Sequence, residues 1–301
     1  MDFNKPIIKY LESYINIETN KFKTIAYKKA ITNIRGIKIE TINDVKEIKG
    51  IGVKILQKIE YVIDNLEPEV MDDDLSVIYG IGPVKLKSLY DKDIKTFLKL
   101  NEEVLKDTKL LNAKQLIGLK YYKDIEKRIP YKEITAHDKI LNQIILQNLK
   151  VECISIVGSY RRKKETSGDI DLLVKIKKKE DFNGIMNEIV ISLQNCKYIL
   201  EILACKDKKF MGIVSINNGI PRRLDILITY PEEFAYAELY FTGSKEHNIK
   251  IRNQARLLGY TLNEKRLEKI INDGINIPYM KNEKDIFEFL NMEYVEPFNR
   301  T

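Results

Sequence analysis

The sequence predicts a multidomain chain in which two helical modules precede an α+β module and a small mixed α/β module. Three observations predict it. Hydrophobic spacing is helical up to about residue 130 and strand-like from about residue 150. One glycine-containing motif occurs twice in the helical part, within residues 48–59 and 78–89. An acidic stretch with a proline, residues 67–74, separates the two copies. A chain of 301 residues suffices for two to four such modules, each with its own core.

In chain order, residues 1–66 read as short amphipathic helices. Residues 67–74, EPEVMDDD, hold five acids and one proline and read as a solvated linker. Residues 75–130 are again helical and end at Ile129-Pro130. Beyond them VECISIV, DIDLLVKI, FMGIVSI and RLDILIT are short, β-branched and alternating, which predicts strands. A helix-like stretch near residues 181–195 lies among them. Residues 232–301 are mixed, with helical periodicity over about 244–258 and 283–291. These shifts divide the chain at 1–66, 67–130, 131–231 and 232–301.

The formal charge is +7. That is permissive for nucleic acid, although the abundance of Lys, Ile and Asn also fits the bias of an A+T-rich genome. Three cysteines and two histidines show no CxxC or HxxxH spacing, so no structural zinc is expected. Reduced thiols and an intracellular setting, nucleus or cytoplasm, are expected, and a viral protein acting in a host cell fits the composition. The start, MDFNKPIIKYLESY, has no apolar core of a secretory signal, and no run of about 18 apolar residues predicts a membrane span.

IKGIGVKILQKI (48–59) and IYGIGPVKLKSL (78–89) share an apolar-x-Gly-apolar-Gly frame with a lysine after it, read as equivalent in both copies. Gly50 and Gly52, then Gly80 and Gly82, permit a tight turn into a helix. Backbone N–H groups there can hold a phosphate. This is the helix-hairpin-helix pattern for gripping a DNA backbone; the bland reading is an ordinary pair of packed helices.

The strongest signal is GSYRRKKETSGDIDLLV, 158–174. A strand runs into Gly158-Ser159, and Asp169 and Asp171, two apart on a strand, share a face. Close carboxylates repel unless a cation lies between them, and hard oxygen ligands suit Mg²⁺. Asp225, in RRLDILI with Arg223 beside it, supplies a third acid. Three carboxylates on neighbouring strands can hold two metals about 4 Å apart for displacement at phosphorus. A solvated strand edge is the bland alternative, and the complete string makes it much the weaker one.

These residues resemble the nucleotidyltransferase signature of the family X DNA polymerases, and among them the polymerase beta branch. The resemblance runs in order along nearly the whole chain. AYKKA (26–30) and the first hairpin resemble an amino-terminal lyase domain. The second hairpin and IGLKYYKDIEKRIP (117–130) resemble a thumb-like DNA-binding domain. KFMGI and RRLDI resemble the palm, and LYFTGSKEHNIKIRNQA, GYTLNE and EKDIFEFL a nucleotide-selecting domain. The implied fold is helix-hairpin-helix modules, an α+β nucleotidyltransferase palm of the polymerase beta kind and a small mixed α/β domain.

The resemblance implies the following roles. Asp169, Asp171 and Asp225 bind two Mg²⁺ ions, for which Mn²⁺ can substitute. Arg128, Gly158, Ser159, Arg162, Ser167 and Gly168 hold the triphosphate. Tyr240, Phe241 and Gly243 line the sugar pocket, and Asn248 reaches the base edge. Arg223 neighbours the primer end and Arg252 the template. Lys58 is the Schiff-base nucleophile of a 5′-deoxyribose-phosphate lyase, with Lys23, Lys28 and Lys54 on phosphate; residues 21–38 carry six basic side chains and no acid. Carbonyls of Lys46, Ile48 and Ile51, and of Ser76, Ile78 and Ile81, hold Na⁺ or K⁺.

The implied activity is template-directed synthesis with dNTPs at gapped or nicked DNA in base excision repair, by a monomer without a membrane partner and with a repair ligase or nuclease as conceivable company. Departures are Ile249 where the family has a lysine, Lys245 where it has an acid, and His247, read as a surface helix residue. The alternatives are a template-independent terminal nucleotidyltransferase and a non-catalytic DNA-end-binding protein. A short segment between IVSI and RRLDI opposes the first, and the three acids oppose the second.

Overall fold

Local signals set several helix starts in the computed structural model, which describes residues 2–17, 20–64, 74–271 and 276–300. The chain divides into two compact units, residues 1–122 and 123–301.

The first unit is helical: α1 (Asn4–Ile17), α2 (Lys21–Ile34), α3 (Asn43–Lys46), α4 (Val53–Asp64), α5 (Pro83–Tyr90), α6 (Phe97–Lys106) and α7 (Ala113–Ile125). Asn20 caps α2 by accepting from the N–H of Phe22 and Lys23, Thr96 caps α6 by accepting from Lys99, and Pro83 opens α5. Ile55, Ile59 and Val62 of α4 are buried with Ile7, Leu11, Tyr27 and Ile31 in one core. Leu75, Ile78, Leu86, Leu89 and Leu100 belong to a second. Each hairpin turns at its first glycine: Gly50 and Gly80 have φ of +94° and +88°, a region open mainly to glycine. The expected linker at 67–74 lies outside the described residues except for Asp74, whose carboxylate accepts from the Ser76 N–H.

The second unit begins with β1 (Ile129–Pro130), α8 (Tyr131–Ile145), β2 (Val151–Ile156), α9 (Gly158–Arg161), β3 (Thr166–Ser167), β4 (Ile170–Ile176) and α10 (Ile185–Asn195). It continues with β5 (Ile199–Cys205), β6 (Lys209–Val214), β7 (Arg222–Thr229), α11 (Phe234–Thr242), α12 (Lys245–Leu257), β8 (Tyr260–Leu262), β9 (Leu267–Lys269) and α13 (Glu283–Phe289). The main sheet has the order β2-β4-β7-β6-β5, and only β4 and β7 run parallel. A parallel pair needs a long crossover, supplied here by α10, β5 and β6. Ile170, Leu172, Val174, Leu224, Ile226 and Ile228 turn into the core together with Ile134, Leu141 and Ile189.

The structure adds elements that periodicity did not predict. Strand β5 was absent from the expected strands because Glu201, Ala204 and two register shifts break its alternation. Helix α11, nearly all apolar, has no polar face to reveal its period. The hairpin β8–β9 is too short to carry a pattern.

Candidate active site

Strand pairing places the acids. Asp171 of β4 stands directly opposite Asp225 of the parallel strand β7. Asp169 lies just before β4, so only Asp171 of that pair is within the strand. Arg223 grips Asp225 with two donors, Nε and an Nη, at 3.1 and 3.2 Å, and its Nη2 lies 3.6 Å from Asp169. Lys209 of β6 brings its Nζ to 3.4 Å from Asp225. Burial, then the neighbouring Asp169 and Asp225, push the Asp171 carboxyl up to about 7, against the opposing pull of Arg223 and Lys209.

That strained charge, on hard oxygen donors alone, fits a divalent cation. Among the described residues, however, no three potential ligands are gathered into a ready-made cluster, and Arg223 and Lys209 both contact Asp225. Lys209 had no predicted role. Its signal was its place two residues before Met211, the partner of Asp225 across β6 and β7.

Beside the acids, α9 turns on Gly158 (φ +65°), and a Cβ there would stand 3.2 Å from an Asp171 oxygen. Cβ atoms at Gly168 and Gly243 would likewise lie 3.2 Å from Arg128 and Arg162. Ser159 donates to the buried Ser167 hydroxyl at 2.8 Å. Arg128 donates from Nε to the Thr166 hydroxyl and from Nη2 to its carbonyl, which holds the guanidinium along β3. Arg162 donates to the Thr242 carbonyl, and its Nε is buried without a partner. A buried unpaired donor is costly, and an anion would satisfy it. Gly158, Ser159, Arg162, Ser167, Gly168 and Arg128 therefore form one polar, cationic rim.

Tyr240 and Phe241 meet edge to face at 5.0 Å, and Asn248 donates to the Tyr240 carbonyl at 2.7 Å. Arg252 lies over the Tyr240 ring and donates to the Leu262 carbonyl. Phe241 packs toward Val157 and Leu173 under the sheet. His247 is a correction: it is buried, stacks on Phe287 and has an unpartnered Nε2, because the helix face carrying it and Ile251 is the one turned inward. Burial, then Arg300, pull its pKa down to about 4. Ile249 and Lys245 are exposed. A buried cluster also escaped the sequence. Arg161 and Arg300 both bind Glu283, with Glu238 3.3 Å from Arg161. In the sequence Arg161 opens a run of four basic residues, 161–164.

In the first unit, Lys23, Lys54 and Lys58 line one cavity of about 1100 Å³ with Gly50 and Gly52, while Lys28 is exposed and off its lining. Cβ atoms at Gly52 and Gly82 would meet nothing within 4 Å, so both turns are open to a ligand. The two hairpin lysines are not equivalent, contrary to expectation. Lys54 comes two residues after Gly52 and Lys85 three after Gly82, so Lys85 is carried to the Leu110 carbonyl and donates there. The carbonyls of Ile48 and Ile78 accept from Ile51 and Ile81 within the turns, leaving each one lone pair.

An acid pair across parallel strands, a glycine-serine turn and a cationic rim define a palm of the nucleotidyltransferase class. Family comparison agrees with that class over each part of the chain. Residues 128–232 match the DNA polymerase beta palm, 237–301 the DNA polymerase beta thumb, 74–126 the fingers domain of DNA polymerase lambda, and 2–65 a helix-hairpin-helix domain. The chain belongs to the family X DNA polymerases. The module read as thumb-like thus matches fingers, and the carboxy-terminal module matches thumb.

The chain is 26% identical to DNA polymerase lambda of Rattus norvegicus, over 97% of this chain and 55% of the relative. It is 26% identical to DNA polymerase lambda of Arabidopsis thaliana, over 99% and 62%. To DNA nucleotidylexotransferase of Xenopus laevis it is 24% identical, over 93% and 64%. The chain therefore spans less than two thirds of the length of these relatives.

Proposed function

We propose that this chain is a template-directed DNA polymerase for short gaps in base excision repair, with 5′-deoxyribose-phosphate lyase activity in its first unit. The observation that carries the polymerase reading is the register of Asp171 against Asp225 beside the Gly158–Ser159 turn. Asp169, Asp171 and Asp225 would hold two Mg²⁺, which when bound acidify the primer 3′-hydroxyl and neutralise the triphosphate. Arg223 and Lys209 hold Asp225 until then and must yield it. Arg128, Ser159 and Arg162 bind and orient the phosphates, so that the chain supplies positioning and charge. Tyr240 and Phe241 crowd the sugar, Asn248 reads the base edge, and Arg252 faces the template.

In the lyase reaction the Lys58 amine attacks C1′ of the sugar, and loss of water leaves a protonated imine. Loss of a C2′ proton breaks the C3′–O bond, which releases the DNA phosphate. Hydrolysis then returns the amine and frees the sugar phosphate. Lys23 and Lys54 hold phosphate, and Na⁺ or K⁺ on the hairpin carbonyls would steady the DNA backbone. Gapped or nicked DNA and dNTPs are the proposed partners, and the proposed setting is intracellular.

Terminal transfer is the competing reading, because a nucleotidylexotransferase is among the relatives. Only residues 215–221 join β6 to β7, too few for a long loop to stand in for template. Primer extension with and without template, with Mg²⁺, tests both: extension only on template is expected, and robust untemplated extension overturns the reading. Asp225→Ala should abolish extension and spare borohydride trapping of 5′-deoxyribose phosphate, while Lys58→Ala should do the reverse.

A further inference from the structure

The lysine of the first unit rests on an aromatic face. Lys58 of α4 places Nζ 3.5 Å from the centroid of the Tyr14 ring on α1. That ring is itself held on several sides. It meets Tyr10 edge-on at 5.2 Å and Tyr27 of α2 at 5.8 Å, and its hydroxyl lies 3.2 Å from that of Tyr10. Tyr10 in turn stacks on Tyr61 of α4 at 5.7 Å. Tyr10, Tyr27 and Tyr61 line the same cavity as Lys23, Lys54 and Lys58. Three helices thus fix one tyrosine face beneath one amine, at the edge of a cavity able to admit a sugar phosphate.

A lysine that served only solubility would need no such support, and a ring that served only packing would not need its face turned to a cation. The face of an aromatic ring carries negative charge and attracts a cation within about 6 Å of its centroid. In imine chemistry the nitrogen stays where the lysine put it, since only a carbon is added to it. The protonated imine is cationic, and that charge draws electrons from C1′ and lets the C2′ proton leave. A ring under the nitrogen therefore favours the charged intermediate and fixes its place.

We propose that Tyr14 is a positioning residue for Lys58, an aromatic platform that holds the cationic nitrogen during removal of a 5′-deoxyribose phosphate; this rests on the lyase reading above. The full-length chain is given a gapped duplex ending in 5′-deoxyribose phosphate, at saturating enzyme, and single-turnover release is timed. Tyr14→Leu and Tyr14→Met remove the ring and keep an apolar side chain. Both should slow release about fivefold, the rate equivalent of a cation–π contact of about 1 kcal/mol. Tyr14→Phe keeps the ring and should stay within about twofold of wild type. Affinity for the same duplex and extension of an open primer-template should be unchanged in all three. Release at the wild-type rate in Tyr14→Leu and Tyr14→Met, with trapping intact, overturns the role of Tyr14 and leaves the lyase reading standing. A slowing in Tyr14→Phe as large as in Tyr14→Leu overturns the aromatic platform. Failure of the wild type to trap at all overturns the lyase reading, and the inference with it. Should Tyr14→Leu melt at lower temperature, Tyr14→Met, whose flexible chain fills the same space, decides.

Discussion

Glu283→Ala offers the sharpest test of how the second unit is held together. The Glu283 carboxylate is 2% exposed and receives two bonds from Arg300, at 2.8 and 3.0 Å, and three from Arg161 at 2.9–3.0 Å. Burial works against its ionisation, yet the hydrogen bonds from Arg300 and Arg161 hold its pKa below the usual carboxylate value. Removing the carboxylate leaves Arg300, 1% exposed, with no counterion among its described partners and only the Val295 carbonyl as acceptor. Breaking a buried pair from one side costs about 3–5 kcal/mol. For a unit the size of residues 123–301, at about 2–4 °C per kcal/mol, the transition should fall by roughly 6–20 °C. Arg300→Ala should cost less, since Arg161 remains on the carboxylate. Calorimetry of the three proteins measures both. A Glu283→Ala transition within about 2 °C of wild type, or a larger loss in Arg300→Ala, would refute the assignment of Glu283 as the shared counterion.

Acid should weaken the second unit through its histidines. Burial pulls both His137 and His247 down to about 4, below the unfolded value near 6.5. Their contribution is therefore complete above about pH 6.5 and lost as pH falls toward 4. His247→Phe should remove roughly 2.5 kcal/mol of the difference between urea unfolding at pH 7 and pH 4.5; an unchanged difference would count against the buried neutral histidine. Ribonucleotides should be poor substrates, since Tyr240 and Phe241 are expected to crowd the 2′-position. Comparable efficiency for ATP and dATP opposite T would remove that role. Binding to gapped duplexes should weaken steeply with salt and vary little with sequence if, as proposed, lysines and hairpin backbones meet phosphate; a flat salt series would contradict it.

The linear order of residues determined much of this protein. The alternation in DIDLLVKI and RLDILIT identified β4 and β7, and the two Gly-x-Gly frames identified the turns before α4 and α5, because backbone period and glycine conformations are local properties. The signature 158–174 pointed to the acids, the polar, cationic rim and the family for the same reason. Pairing decided the rest. That β4 runs parallel beside β7, with Asp171 against Asp225, depends on a crossover through α10, β5 and β6 that no local pattern encodes. Only tertiary packing brings Lys209 to Asp225, buries His247 under Phe287 and joins Arg161 to Glu283, 122 residues away. In the sequence Arg161 is one charge in a basic run; a buried carboxylate makes it structural, since a charge leaves water only where another meets it.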